Sequence, residues 1–199
     1  MSDTHREIEL RLAIADRSAL DRALQAAGAR PIGQGVVRTS AFDFADGRLR
    51  AARQTLRLRE DWTGTTLTSK KPLATAPEDM GRLKMREEVT LLLSSESGGD
   101  ALLILEHLGL HETLRYEKAR ASWQLGDARI DVDVLADGGE CYAEIEAEPA
   151  VIAATRTRLG LDDTPVETRS YFEIVRQARR RARDIGTSQT SEELVGEAG

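Results

Sequence analysis

The pentapeptide Glu7-Ile8-Glu9-Leu10-Arg11, answered much later by Glu144-Ile145-Glu146, constrains the fold of this chain more than any other stretch. Successive side chains of a β-strand point to opposite faces, so Glu7, Glu9 and Arg11 share one face and Ile8, Leu10 and Leu12 the other. Neighbouring carboxylates repel unless something cationic sits between them. A second Glu-x-Glu strand, with similarly spaced Arg and Lys pairs elsewhere, suggests a divalent metal with a polyanion bound to it.

The same alternation recurs along the chain. Strands are expected at 5–14, 34–44, 54–62, 65–71, 84–93, 112–125, 128–135 and 140–148, separated by turn signals such as Asp46-Gly47, Thr63-Gly64 and Gly126-Asp127. A helix capped by Asp16 or Ser18 runs to about Ala27, a second spans about 99–108, and a third starts at Pro149 and ends near Leu159. Ser170 and Glu173 have capping-box spacing and open a last helix from Tyr171 to about Asp184. The order strand, helix, three strands occurs twice, with Arg86-x-Glu88 standing where Glu7-x-Glu9 stands in the first half.

Applied strand by strand, the period of two collects one charged face: Glu7, Glu9, Arg11, Arg57, Arg59, Lys70, Lys84, Arg86, Glu88, Lys118, Arg120, Asp131, Asp133, Glu144 and Glu146. The other face is apolar, with Leu56, Leu58, Met85, Val89, Trp123, Ile130, Val132 and Ile145. Mixed charges on the outer face of an antiparallel sheet are ordinary. Here they cluster as pairs one residue apart, and the amphipathic helices need apolar sheet surface to cover. Those two features favour a barrel with charges inside. Such an interior needs a charged guest or abundant water. A triphosphate with Mg²⁺ or Mn²⁺ suits it, carboxylates holding the metal and Arg and Lys the phosphate oxygens.

Composition narrows the alternatives. The chain of 199 residues fits one domain, 1–185, followed by a Ser-, Thr-, Glu- and Gly-rich stretch, 186–199, expected to be a disordered tail. A net charge of −6 argues against general nucleic-acid or anionic-membrane binding, leaving a local basic site open. The one cysteine, Cys141, excludes an internal disulfide and a cysteine-rich zinc site. No leader pattern opens the chain and no apolar run is long enough to span a bilayer, so the expected compartment is the cytoplasm, with the protein a monomer or homodimer. His5, His107 and His111 read as surface residues. The run Arg179-Arg180-Arg181 with Arg183 reads as opposing a helix macrodipole.

Glu7-Ile8-Glu9-Leu10-Arg11 resembles the N-terminal Glu-x-Glu-x-Lys signature of the CYTH superfamily, the triphosphate tunnel metalloenzymes, which includes class IV adenylate cyclases and thiamine triphosphatases. The resemblance continues through Phe42-Asp43-Phe44, Leu56-Arg57-Leu58-Arg59, Leu67-Thr68-Ser69-Lys70, Arg86-Glu87-Glu88, Glu117-Lys118-Ala119-Arg120, Ile130-Asp131-Val132-Asp133 and Tyr142-Ala143-Glu144-Ile145-Glu146. Thr168-Arg169-Ser170-Tyr171 is similar to the Arg-Ser-Tyr segment of the cyclase branch.

The resemblance implies an α+β fold, a closed antiparallel β-barrel of about eight strands forming a charged tunnel, with helices packed outside. It implies metal ligation by Glu7, Glu9, Glu144 and Glu146 with Asp133 contributing, and a phosphate-gripping wall of Arg57, Arg59, Lys70, Arg86, Lys118 and Arg120. Glu7, Glu9, Arg11 and Glu88 are the expected catalytic set. The expected activity is Mg²⁺- or Mn²⁺-dependent hydrolysis of inorganic, nucleoside or thiamine triphosphate. The alternatives are conversion of ATP to cyclic AMP and pyrophosphate, and a non-catalytic polyphosphate or nucleotide sensor. Two positions depart from the family pattern: Arg11 replaces the usual Lys and cannot serve as a base, and Lys71 stands where Gly is common and should point outward.

Overall fold

The computed structural model describes the backbone of residues 3–73, 82–94 and 98–196, with side chains for residues 6–73, 82–94 and 98–184. Eight strands lie among these residues: β1 (Asp3–Ile14), β2 (Arg30–Phe44), β3 (Thr55–Asp61), β4 (Gly64–Pro72), β5 (Lys84–Leu93), β6 (Leu110–Leu125), β7 (Ala128–Leu135) and β8 (Cys141–Glu146). They close into an antiparallel barrel in the order β1-β5-β4-β3-β2-β6-β7-β8, which leaves no free sheet edge. The helices are α1 (Arg17–Ala26), α2 (Arg48–Ala51), α3 (Gly98–His107), α4 (Pro149–Arg158) and α5 (Tyr171–Gly196).

The repeat expected from the sequence is present in the topology. Exchanging β1 with β5, β2 with β6, β3 with β7 and β4 with β8 reproduces the strand order in reverse. The two seams at which repeat-equivalent strands pair with each other are β1/β5 and β2/β6. Glu7 stands across from Arg86 in one and Arg38 across from Glu117 in the other, each pair 79 positions apart. Equivalent positions therefore face each other at both seams, and opposite charges occupy them.

The apolar strand face is outside, as the helices require. Ile8, Leu10 and Leu12 of β1, Ile130 and Val132 of β7 and Ile145 of β8 pack beneath Leu20 and Leu24 of α1 and Ile152 of α4. Phe42, Leu56 and Leu58 meet Leu105 and Leu102 of α3 and Leu49 of α2. The start of α5 packs differently. Its Tyr171, Ile174 and Val175 join the inward-facing Leu114, Tyr116, Leu135 and Tyr142 and close one end of the tunnel.

Asp16 caps α1 by accepting from the Ala19 amide at 2.9 Å. Ser170 and Glu173 form the expected reciprocal box, at 2.7 Å and 3.2 Å. α2 was not expected from the sequence. Its four residues hang on Asp43, whose carboxylate accepts from the amides of Phe44, Leu49 and Arg50. α5 also runs past the expected end near Asp184 to Gly196, where a tail was expected; one internal glycine costs a helix only about 1 kcal/mol and need not stop it. Residues 197–199 lie outside the described residues, as does the side chain of His5. Arg179 consequently sits well inside the helix and clamps Asp137 and the Arg115 carbonyl instead of opposing a helix end. No helix among the described residues is long and apolar enough to cross a membrane.

Candidate functional site

The alternation that turns Ile8, Leu10 and Leu12 outward turns Glu7, Glu9 and Arg11 into the tunnel, where each is at most 5% exposed. Lys70, Glu88, Lys118, Arg120, Asp131 and Asp133 are buried there too. Lys71, one residue on from Lys70, is outside and pairs with Glu87, as its parity requires.

One stretch of wall, from β1, β5 and β8, is acidic. Lys70 lies between Glu7 and Glu88, with Nζ 2.5 Å from an oxygen of each. Arg86 reaches Glu7 at 3.1 Å and Glu9 at 2.8 Å. The oxygens it reaches, one of Glu7 and one of Glu9, are buried and held by ion pairs alone, without a well-aligned hydrogen bond, among the described residues. Burial pushes the Glu88 carboxyl up, but the Lys70 ammonium beside it, with help from Thr90, holds it at about 2. Glu146 faces Glu9 across the β1/β8 ladder and has no ion pair among the described residues. Burial and the nearby Glu7, Glu88 and Glu9 raise its pKa, against the pull of Lys70.

A second cluster is internally neutralised. Arg120 spans Asp131, Asp133 and Glu144, 2.6 Å from the last two. Asp133 is fully buried and accepts as well from Lys118 Nζ at 2.7 Å and the Tyr171 hydroxyl at 2.6 Å. Its oxygens are committed to these donors. Asp133 was expected among the metal ligands; as placed here it anchors the basic wall and α5. Burial opposes the charge of Glu144, yet Arg11, Lys118 and Arg120 hold it well below the usual range.

Arg11 is fixed on every side. It donates twice to Glu144, at 3.0 and 2.5 Å, and to the Arg169 carbonyl at 2.5 Å, while its guanidinium stacks 3.9 Å from the Tyr171 ring centroid. Lys84 donates to the same carbonyl at 3.2 Å. Burial and the Arg11 charge lower the Lys84 ammonium to about 8, and burial with Arg120 lowers Lys118 to about 8 as well.

Between these clusters lies a cavity lined by Arg11, Arg57, Arg59, Lys70, Arg86, Lys118 and Arg120, with Glu9 and Glu144 as its carboxylates. Seven cations against two acids line it among the described residues, although Lys70, Lys118 and Arg120 are also paired with carboxylates behind the lining. The Nε groups of Arg57 and Arg59 are buried there without acceptors among the described residues. Arg57 makes no ion pair among the described residues, whereas Arg59 reaches Asp61 at 2.8 Å. All six residues expected to form the basic wall line this one cavity.

Sequence reasoning missed Tyr171, Tyr116 and Thr39 as lining groups. Tyr171 also takes Lys118 at 4.1 Å from its ring centroid. The signal was present in Arg169-Ser170-Tyr171, but nothing local shows that this segment folds over the tunnel; the amide of Glu167 donating to the Arg11 carbonyl does that.

The donor chemistry of the acidic wall fits a hard divalent cation: carboxylates of Glu7, Glu9 and Glu146 stand on the adjacent strands β1 and β8, and Glu146 makes no ion pair among the described residues. No group of three or more His, Cys, Asp or Glu among the described residues is already gathered for a metal. Lys70 and Arg86 hold Glu7 and Glu9 where an ion would compete for them.

A closed antiparallel barrel around a charged, cation-rich tunnel defines a tunnel-barrel protein. The family model of the CYTH domain matches residues 5–171, and the chain belongs to that family. No curated protein matches it in sequence. Among solved structures it is similar to the PH1012 protein of Pyrococcus horikoshii OT3, at 20% identity and TM-score 0.69, over 85% of this chain and 99% of that one. A candidate adenylate cyclase from Vibrio parahaemolyticus gives 21% and 0.67, over 85% and 97%. HpAC1 from Hippeastrum, a candidate adenylyl cyclase described as having a dominant triphosphatase activity, gives 16% and 0.63, over 86% and 95%. At these identities the likeness shows the shared fold.

Proposed function

We propose that this protein is a metal-dependent hydrolase of triphosphates, acting on inorganic triphosphate or on a nucleoside or thiamine triphosphate. The observation that carries this reading is the cavity with seven cations beside a wall of carboxylates. A triphosphate has enough negative charge along its length to meet several Arg and Lys side chains at once, and a monoanion does not. Arg57 and Arg59, with buried Nε donors lacking acceptors, are the first contacts for its oxygens.

Glu7, Glu9 and Glu146 are the residues to hold Mg²⁺ or Mn²⁺, with Glu88 and Glu144 bordering them. When bound, such an ion neutralises phosphate charge and acidifies a coordinated water. Hydrolysis joins a water oxygen to the terminal phosphorus and breaks its bond to the bridging oxygen; the electron pair leaves with diphosphate, or with the organic diphosphate, and the proton lost by the water passes to solvent. The basic wall neutralises the charge that grows on the leaving oxygen. Arg11 stays protonated throughout and acts as a cation that positions Glu144.

The test is to incubate the purified protein with inorganic triphosphate, and separately with ATP, plus Mg²⁺ or Mn²⁺, and resolve all products. Orthophosphate that vanishes with Glu9→Gln supports the hydrolase. Cyclic AMP with pyrophosphate would replace it by the cyclase, and tight binding without turnover by a sensor.

A further inference from the structure

At the end of the tunnel away from Tyr171, the turn between β3 and β4 lays Trp62 on the backbone of β2. A Cβ at Gly33 would come within 2.4 Å of the indole Nε1, and one at Gly35 within 3.0 Å of Cε3. These contacts reach both rings of the indole, so it lies flat on the strand. Gly33 pairs with Ser122 and Gly35 with Arg120. Ser122 and Arg120 face inward, onto Asp131 and Asp133, and the two glycines therefore lack what would be inward side chains. The indole occupies that space at the tunnel mouth, and Trp62 is still 39% exposed although one face of its ring lies against the strand.

Trp62 is tied to the anion cavity through its neighbours. Asp61, immediately before it, holds Arg59, which lines the cavity. Arg59 stands two residues before the end of β3 and Trp62 opens the turn that follows, so cavity and indole adjoin along one hairpin. That order suits an organic group joined to a phosphate through a sugar.

We propose that Trp62 is the stacking platform for the aromatic ring of an organic triphosphate, a nucleobase, whose phosphates lie on Arg57 and Arg59. The inference rests on the triphosphate reading of the cavity. Filling the tunnel end needs only side chains at 33 and 35; two glycines that clear a flat seat for an indole leave a partly exposed aromatic ring instead. Stacking demands no hydrogen-bond pattern, because every base has a π-face. The absence of a readable base-recognition motif in the sequence follows from that.

The experiment compares ATP with inorganic triphosphate, which shares the phosphates and lacks the ring. In Trp123→Phe protein, where Trp62 is the remaining tryptophan, ATP should quench the fluorescence and inorganic triphosphate should leave it nearly unchanged. Trp62→Ala should raise KM for ATP about tenfold or more and change KM for inorganic triphosphate by less than about twofold, while Trp62→Phe keeps most of the ATP affinity. Equal effects on both substrates, unchanged ATP affinity, or equal quenching by both ligands would overturn the proposal. If Trp62→Ala fails to fold, Trp62→Phe and the quenching decide it. If the wild type turns over neither substrate, the hydrolase reading fails, and quenching by ATP still decides the role of Trp62.

Discussion

Glu9 and Glu146 face each other across the β1/β8 ladder, two carboxylates in direct register inside a tunnel. Like charges opposite one another cost a sheet roughly 0.2–1 kcal/mol. Arg86 partly offsets this at Glu9, at 2.8 Å, but no cation among the described residues pairs with Glu146. Glu146→Gln removes the repulsion while keeping the shape. Its melting temperature should equal or exceed that of the wild type, and metal-dependent activity should fall about tenfold or more, the scale seen for groups that tune a metal site. Loss of stability with full activity would show that Glu146 is structural.

Arg57 and Arg120 line the same cavity with opposite structural commitments. Arg57 has no ion pair among the described residues, so Arg57→Ala should barely change the melting temperature. It should raise KM for triphosphate about 10- to 100-fold, since a hydrogen bond to a charged group contributes about 1.5–3 kcal/mol. Arg120 neutralises Asp131, Asp133 and Glu144 together. Arg120→Ala leaves the buried Asp131 and Asp133 and the partly buried Glu144 short of a partner and should destabilise the fold by about 3–5 kcal/mol, measured by denaturant unfolding.

Much of this architecture is legible in the sequence because period two is a property of single strands. It places Glu7, Glu9, Arg57, Arg59, Lys118 and Arg120 on one face without knowledge of pairing. The direction of that face needs a second fact, that α1, α3 and α4 must cover apolar sheet. What stays hidden depends on long-range contact. α2 exists because Asp43 collects amides from the following turn. Asp133 reads like any tunnel carboxylate until Lys118, Arg120 and Tyr171 converge on it from other elements. Trp62 reads as the last residue of a strand until the turn after Asp61 lays it over two glycines of β2.

Lys84 and Lys118 give the site an alkaline limit. Both ammonium groups are lowered from 10.5 to about 8, burial being the largest cause in each. A lysine lowered in this way carries its charge below about pH 8 and loses it as the pH rises through that value. Affinity for a polyanion falls with it. The value of kcat/KM, which reports ionisations of the free enzyme, should therefore decline above about pH 8, well before an ordinary lysine would titrate. In Lys84→Met the overall value should drop and the remaining decline should follow Lys118 alone. A profile flat to pH 10 would show that neither ammonium contributes to binding.

Arg11 decides whether this chain lost a base or gained a clamp. A lysine at this position could give up a proton; Arg11 cannot. Its guanidinium instead makes two bonds to Glu144, one to the Arg169 carbonyl, and stacks on Tyr171, joining β1, β8 and the segment that covers the tunnel. A lysine ammonium is a compact point charge without the planar fork, and it cannot make all these contacts from one place. Arg11→Lys should lower stability by about 1.5–3 kcal/mol, the value of a lost bond to a charged group. It should also lower kcat, because Glu144 and Tyr171 lose their alignment. A higher kcat, with a new ionisation on the alkaline side of the pH profile, would instead show that a proton acceptor at position 11 is what the reaction lacks.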